Sequence, residues 1–361
     1  MAQAIQTRLK LQFTKAGSDV SESLLPDLLS FSYTDKETNE ADAISVTLKD
    51  STGKWAGTWK PNGGEVVAAT IIKGTIDEKL QSLYCGKFYI DRQSVAGNPR
   101  TYSFEGVSIP LDKPIRKKIE NRAWEKKSLK EIATEIAIEN VLSLVWDCEG
   151  DEEYDRIEQK RESDMAFLLR LCEEVGFSLK VTDDKIVIFD QLYYEMKAPV
   201  KTFTLGKSDI LSWNFESNQS EKYKSVTIAY RDPKKKRRGF AGSQAIEGGK
   251  TSTGKNPAVI EYTYTDPDAD PNGQEFAYKT RAKTLQEAER KAKAKLRQLN
   301  RRAVTGGLTI IGDTSMVAGV VVRCIGFGSF DGNFIVEEAE HSIGSGGYTT
   351  SITLRRVNKG F

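Results

Sequence analysis

The stretch that decides the fold occurs twice in the sequence. Leu29–Asp50 reads LSFSYTDKETNEADAISVTLKD, and Leu211–Asp232 reads LSWNFESNQSEKYKSVTIAYRD. Both begin with Leu-Ser-aromatic-x-aromatic, cross a polar segment, resume with Ser-Val-Thr-aliphatic and end in a basic residue followed by Asp. Apolar side chains at alternate positions predict a half-buried β-strand on either side of the polar segment. The repeat therefore predicts that one small β-structure is present twice.

Later segments of the chain repeat in the same order, which strengthens this interpretation. Short β-rich words also recur by chance, so coincidence is the alternative explanation. The matching pairs are GGEVVAATI (Gly63–Ile71) with AGVVVRCI (Ala318–Ile325), GKFYID (Gly86–Asp91) with GNFIVE (Gly332–Glu337), and TYSFEG (Thr101–Gly106) with TTSITL (Thr349–Leu354).

The two ends of the chain carry the pattern of antiparallel β-structure. Residues 1–110 contain about six or seven short alternating segments separated by turn residues, and no convincing helix, which favours a closed or sandwiched all-β unit. Residues 201–361 contain the second copy. The predicted fold class is β-rich α+β, with two similar tube-like antiparallel β-barrels flanking an α+β insert domain.

The insert domain is predicted at residues 111–200, where helix signals appear. Ser128 and Glu131 form a capping box ahead of an apolar helical face. Ser163 is a candidate N-cap for a second helix, and Gly176 is placed to end it. The following residues, Phe177–Val181 and Ile186–Phe189, are typical of a hairpin.

An insertion interrupts the second predicted barrel. Residues 233–280 have the composition of a mobile loop or an extended hairpin. A capping box at Thr284 then begins a helix over 284–302, which Gly306-Gly307 is expected to end. Its narrow apolar stripe consists of Leu285, Ala288, Ala292, Leu296 and Leu299.

Composition excludes several classes of function. The 361 residues include 53 basic and 51 acidic side chains, so the net charge of +2 gives no general attraction to nucleic acid or membranes. No apolar run approaches the ~20 residues that a membrane span needs. The four cysteines form no CxxC pair and are interpreted as small buried hydrophobes in a reducing cytoplasm. His341 is the only histidine, which argues against a histidine-rich metal site.

The sequence resembles the baseplate hub proteins of contractile phage tails, the late-control protein D family, whose relatives include the hub portion of type VI secretion spike proteins. The resemblance covers most of the chain except residues 233–280. It is carried by RESDMAFLLRLCEEVGFSLKV (Arg161–Val181), by ADAISVTLKD (Ala41–Asp50) followed by WKPNGGEVV (Trp59–Val67), by LQEAERKA (Leu285–Ala292), and by AGVVVRCIGFGSFDGNFIVEEAEHSIGSGGYTTSITLRR (Ala318–Arg356).

The resemblance implies a structural role in an injection machine. It implies a homotrimer in which three chains with two similar barrels each present a pseudo-sixfold face to a hexameric tail tube or tube-initiator protein. The opposite face would bind a trimeric spike, and DNA would pass through a central channel. The expected location is the host cytoplasm during assembly and then the tail baseplate of the virion.

The main alternative is nucleic-acid binding through the basic run Lys234–Arg238 and the basic faces of the 284–302 helix. A milder form of this alternative has these cations lining the channel through which DNA passes. Another interpretation is that the helix cations meet acidic residues of the next chain, such as the run Asp147–Asp155, and the plainest is that they are a solvated helix face.

An enzyme is the third class considered, and no catalytic, cofactor-binding or metal-binding residues are predicted. A glycosidase needs two carboxylates at a set separation, but Glu173 and Glu174 are expected on the outer face of a helix. His341 is interpreted as an ordinary strand or turn histidine. The glycine-rich segment Gly326–Gly332 lacks the Lys-Ser/Thr and the helix of a phosphate loop and is predicted to be a hairpin turn.

Overall fold

The computed structural model shows a chain built mostly of antiparallel β-structure, with helices packed on its sheets. The parts of the chain that the structure describes are residues 6–13, 18–19, 21–38, 40–74, 80–109, 114–182, 184–218, 222–231, 259–267, 269–280, 282 and 284–357.

The strands and helices are numbered here in chain order, and 3-10 turns lie at Leu25–Asp27 and Gly328–Phe330. The strands are β1 (Gln6–Phe13), β2 (Ser18–Asp19), β3 (Leu28–Lys36), β4 (Ala43–Lys49), β5 (Val66–Gly74), β6 (Gln81–Ala96), β7 (Thr101–Val107), β8 (Ile119–Ser128), β9 (Ser143–Asp147), β10 (Glu153–Ser163), β11 (Phe177–Val181), β12 (Lys185–Asp190), β13 (Lys201–Thr204), β14 (Ile210–Ser217), β15 (Tyr223–Arg231), β16 (Val259–Thr265), β17 (Gln274–Tyr278), β18 (Val304–Ile311), β19 (Val321–Ile325), β20 (Gly332–Gly344) and β21 (Gly347–Arg356). The helices are α1 (Ser21–Leu24), α2 (Pro114–Lys117), α3 (Leu129–Glu139), α4 (Asp164–Val175), α5 (Gln191–Glu195) and α6 (Leu285–Asn300).

The same order of strand pairing occurs at both ends of the chain. In the first half β3 pairs with β4, β4 with β7, β7 with β6 and β6 with β5, all antiparallel. In the second half β14 pairs with β18, β18 with β21, β21 with β20 and β20 with β19, again all antiparallel. The two sets join through an antiparallel pairing of β3 with β20.

The positions of the β-bulges also repeat. Register shifts occur between Leu28 and Ser30 in β3 and between Ile210 and Ser212 in β14. A second pair of shifts occurs between Ile90 and Arg92 in β6 and between Val336 and Glu338 in β20. Because a bulge inserts one residue at a defined place in a ladder, its recurrence at matching places aligns the halves residue by residue. Phe31 then matches Trp213, and Tyr33 matches Phe215.

One part of the repeat predicted from the sequence is wrong in detail. The segment Ser225–Ile228 resembles the β4 sequence, yet β15 lies in a separate sheet with β16 and β17. The place of β4 is taken in the second half by β18, which contains Gly306 and Gly307. These glycines therefore lie in a strand and do not end the preceding helix. A Cβ atom on Gly306 would lie 2.3 Å from the Phe215 ring, so the close approach of β14 requires glycine there.

The described residues form four hydrophobic cores. The first consists of side chains between Leu9 and Phe104 together with Tyr348, and the third consists of Phe203 and side chains between Leu308 and Leu354. The second core, between Ile109 and Ile188, belongs to the segment that joins the two halves. The fourth lies between α6 and the β15–β16–β17 sheet.

The joining segment has the helices that the sequence predicts. Ser128 accepts a hydrogen bond from the Glu131 amide within a complete capping box at α3. Ser163 caps α4, and Gly176 ends it in the left-handed conformation with φ of 86°. Strands β8 and β10 and helix α5 were not predicted, nor was the short helix α1 within residues 1–110.

The long helix α6 begins after Thr284, whose hydroxyl accepts from the Glu287 amide. Its buried face includes Ala288, Ala292 and Leu296 as predicted, but Leu285 is 46% exposed, which corrects that part of the stripe. Within the 233–280 insertion, β16 and β17 are strands, while residues 233–258, including Lys234–Arg238, lie outside the described residues.

Other sequence predictions have simple outcomes in the structure. Cys85, Cys172 and Cys324 are buried and Cys148 is half-buried, and none of them forms a disulfide. Among the described residues, none of the helices has the length and apolar character needed to cross a bilayer.

Candidate assembly site

The junction between β3 and β20 joins the two halves of the chain. Its register places Tyr33 opposite His341 and Thr34 opposite Glu340. The Tyr33 and His341 rings stack with centroids 5.8 Å apart, and neither side chain is more than 4% exposed. Lys36 and Glu338 form an ion pair of 3.6 Å at the end of the ladder. Strand pairing and apolar burial therefore both hold this junction together.

His341 lies in β20 and has a structural role, which agrees with the prediction of a strand histidine. Its Nε2 is 2.8 Å from the Met316 carbonyl oxygen, and its Nδ1 is 2.7 Å from the Tyr348 hydroxyl. Burial lowers the pKa of His341, although the Met316 carbonyl opposes this shift. A neutral ring that donates from Nε2 and accepts at Nδ1 satisfies both contacts, so the histidine secures the junction.

A half-buried lysine ties the joining segment to the junction. The Lys180 ammonium of β11 lies 2.7 Å from Asp35 Oδ1 and 3.1 Å from Asp42 Oδ1, and it donates to the Lys36 carbonyl at 2.8 Å. The other oxygen of Asp35 accepts from the Ala318 amide at 2.9 Å. One carboxylate therefore contacts both the joining segment and the loop before β19.

Titration of Asp42 gives a prediction for this cluster. Burial raises the pKa of Asp42 to about 6, opposed by the charge of Lys180 and reinforced by that of Asp35. The pKa of Asp42 in the folded chain exceeds its unfolded value of 3.8, so the folded chain favours the protonated carboxyl. The stabilisation that this proton provides is complete below pH 3.8 and is lost as pH rises through 6. Wild type should therefore gain up to ~3 kcal/mol relative to Asp42→Asn between pH 7 and pH 4.

The measurement is urea unfolding of both proteins across this pH range, and the quantity compared is the difference in their free energies of unfolding. Asparagine keeps an oxygen that can accept the hydrogen bond from the Lys36 amide, which Asp42 accepts at 3.0 Å. A difference that stays constant with pH, or one that favours the variant in acid, would contradict the assignment.

A second buried cluster surrounds Arg355, which is only 2% exposed. Its guanidinium contacts Glu195 of α5, Glu37 at 3.1 Å and Glu337 of β20 at 3.3 Å. Burial alone would lower the pKa of Arg355, but Glu37 and Glu195 outweigh it and the pKa is raised. The cluster thus keeps its central cation charged.

Two arginines at the end of α6 complete the cluster. Arg301 lies 2.7 Å from Glu37 and 3.1 Å from Glu337, and Arg297 lies 2.8 Å from Glu195 without hydrogen-bond geometry. The cluster joins β20, β21, α5 and α6 at the place where the two halves meet. Sequence reasoning missed it because no local pattern marks Arg355 as buried.

The cations of α6 face acids of the same chain. Arg290 pairs with Glu152, which belongs to the acidic run Asp147–Asp155. Lys291 lies 2.8 Å from Glu287, and Lys293 lies 3.0 Å from Glu289. The acidic run therefore meets the helix within one protomer, and these pairs give no support to nucleic-acid binding by the helix.

The structure also places the remaining candidate residues. Glu173 is exposed on α4, as predicted, whereas Glu174 is half-buried near Arg170 and Lys291. The segment Gly326–Gly332 connects the antiparallel strands β19 and β20, which confirms the hairpin turn. Within the described ranges, no group of three or more His, Cys, Asp or Glu side chains could hold a metal ion.

Solved structures of tail and secretion proteins resemble this chain in fold. A 43 kDa tail protein of prophage MuSo2 from Shewanella oneidensis matches with a TM-score of 0.70 and 14% identity, over 97% of this chain and 98% of that chain. A component of the Escherichia coli type VI secretion system matches with a TM-score of 0.54 and 13% identity, over 98% of this chain and 78% of that chain. The fold is thus that of a phage tail protein.

The sequence comparisons define the family. Residues 110–347 match the model of the phage tail baseplate hub (GPD), so the chain belongs to the phage tail baseplate hub family. The "Probable baseplate hub protein" of Escherichia phage 186 is 25% identical over 366 residues, which cover 94% of this chain and 91% of that protein. The protein is therefore a structural component of a tail baseplate and not an enzyme.

Proposed function

We propose that this hub assembles as a homotrimer with pseudo-sixfold symmetry and adapts a hexameric tail tube to a trimeric central spike of a contractile injection machine. The two halves, residues 1–110 and 201–361, would each form a tube-like β-barrel. Residues 111–200 would form the α+β insert domain between them.

The observation that carries the proposal is the repeated strand order with its matching bulges. Three chains that each contain two such units present six similar units around one axis. A ring of this kind can bind a sixfold partner on one face through nearly equivalent contacts. The joining segments differ from both units, so they repeat only three times around the axis and suit a threefold spike.

The proposed partners follow from this symmetry. They are further copies of the chain, the tail tube or a tube-initiator protein, and a trimeric spike, with DNA passing through the central channel. Assembly would take place in the host cytoplasm before the hub enters the virion baseplate. Function would rest on protein contacts, without catalytic residues, a cofactor or a metal.

Sedimentation and electron microscopy of the purified full-length protein test the proposal. We expect a species of about three times 40.2 kDa at micromolar concentration, seen as a ring with a central hole. A protein that stays monomeric, also after addition of tube and spike partners, would rule out the trimeric adapter.

A further inference from the structure

Strand β14 presents an open edge that its counterpart β3 does not have. Among the described residues, β14 pairs only with β18, whereas β3 pairs with β4 and also with β20. Trp213 of β14 is 49% exposed, whereas the matching Phe31 of β3 is 1% exposed. Leu211 is also exposed, at 58%. An edge strand with large exposed apolar side chains is normally covered by a partner.

Strand β6 has an edge that corresponds to the edge of β20 paired with β3. In β20, residues Glu338–Gly344 pair with β21 on one side and with β3 on the other. The matching end of β6, residues 92–96, pairs with β7, and no second strand pairs with it among the described residues. Val95 is 53% exposed, whereas the matching His341 is fully buried at 0%.

Backbone hydrogen bonds fix this match independently of the side chains. Ile90 of β6 donates to the Glu65 carbonyl at 3.0 Å and accepts from the Gly64 amide at 2.9 Å. Val336 of β20 donates to the Val320 carbonyl at 2.9 Å and accepts from the Gly319 amide at 2.8 Å. Counting forward from Ile90 and Val336 aligns Val95 with His341 and Ser94 with Glu340.

We propose that the open edge of β14 pairs antiparallel with the end of β6 in a second copy of this chain, and that the β3–β20 junction is the template for this interface. The internal register then predicts Val95 opposite Phe215, Ser94 opposite Glu216 and Ala96 opposite Asn214. The ladder is shorter than the internal one because β6 ends at Ala96, which matches Ser342, whereas β20 continues to Gly344.

Charge complementarity fits this partner. In the proposed register Arg92 lies diagonally across the ladder from Glu216, within reach for long side chains. Both residues are exposed in the single chain. The internal junction has the opposite arrangement, with the base Lys36 on β3 and the acid Glu338 on β20. The interface would therefore bury Val95 and Trp213 and pair two opposite charges at its rim.

The pairing is head-to-tail, since each chain contributes one β14 edge and one β6 edge. Such contacts form a closed ring when the rotation between units closes, and an open filament otherwise. The number of copies, three, rests on the proposed function, whereas the register rests on the internal junction.

Disulfide trapping in the full-length chain tests the register. In a Cys148→Ser background, Ser94→Cys combined with Glu216→Cys should give oxidised covalent species up to the trimer on non-reducing gels. Thr34→Cys combined with Glu340→Cys is the matched positive control, because these residues lie opposite each other inside the chain. Ser94→Cys combined with Ser212→Cys is the control for a wrong register and should not cross-link.

Sedimentation of the same variants separates the possible failures. A trimer in which Ser94 and Glu216 do not cross-link, while Thr34 and Glu340 do, would overturn this interface and leave the proposed function intact. Cross-linking of the wrong-register pair with equal yield would also overturn it. Absence of any oligomer, with tube and spike partners added, would overturn the proposed function itself.

Discussion

Replacing Arg355 with methionine is expected to lower the free energy of unfolding by about 3–5 kcal/mol, because removing one partner of a buried ion pair leaves uncompensated charge. Glu37, Glu195 and Glu337 all lose a contact, and each of them is at most 8% exposed. Arg301 and Arg297 remain near Glu37 and Glu195. Because these two carboxylates keep a cationic neighbour, the expected loss lies toward the lower end of this range. Chemical denaturation at neutral pH measures the effect.

Arg302→Met is the matched control for this experiment. Arg302 also contacts Glu337, at 3.3 Å, but its side chain is 76% exposed. An exposed ion pair contributes about 0–1 kcal/mol, so this variant should unfold nearly as wild type does. Equal effects of Arg355→Met and Arg302→Met would contradict a buried cluster.

Local sequence signals predicted most of the individual elements. Alternation of apolar residues identified β3, β4 and β14, and capping residues identified α3, α4 and α6. These signals work because the side-chain period and the orphan amides at a helix start are properties of a few adjacent residues. The order of the matched segments also predicted that β5, β6 and β7 correspond to β19, β20 and β21, but not that β18 takes the place of β4.

Strand partners were less predictable, because pairing depends on residues far apart in the chain. Ser225–Ile228 has the same alternation as the corresponding part of β4, so its pattern alone assigned it to the second barrel. The structure places β15 under α6, where Val226 and Ile228 pack against Ala292 and Leu296. Burial against α6, which lies some 60 residues later in the chain, therefore determines the sheet to which β15 belongs.

The charged clusters were not predicted for a related reason. Arg355, Glu37 and Glu195 are separated by more than a hundred residues and become neighbours only when β21, the end of β3 and α5 pack together. Charged residues are mostly exposed in proteins, which is the correct expectation in the absence of partners. The shared geometry of the two halves therefore comes from apolar alternation, whereas buried ion pairs add to the strand pairing and apolar burial that attach them.

The second large effect is expected at matched positions in the two halves. Phe31→Ala should lower the free energy of unfolding by about 3–5 kcal/mol, because Phe31 is 1% exposed and its removal leaves a cavity in the first core. Trp213→Ala at the equivalent place should cost only about 1–2 kcal/mol, since half of that side chain is already exposed. Denaturant unfolding at concentrations below the assembly range measures both values in the isolated chain.

For assembly, the order of the two effects should be reversed: substitution of Trp213 should weaken trimer formation more than substitution of Phe31. If β14 pairs with β6 of another copy, Trp213 becomes buried on association, whereas the surroundings of Phe31 are already complete within one chain. Trp213→Ala should then weaken trimer formation at least about tenfold, which corresponds to ~1.4 kcal/mol. A Trp213→Phe variant is the conservative control, because phenylalanine is the residue at the matching position of β3. Unchanged association of Trp213→Ala, measured by sedimentation over a concentration series, would mean that the open edge of β14 is covered in some other way than by strand pairing.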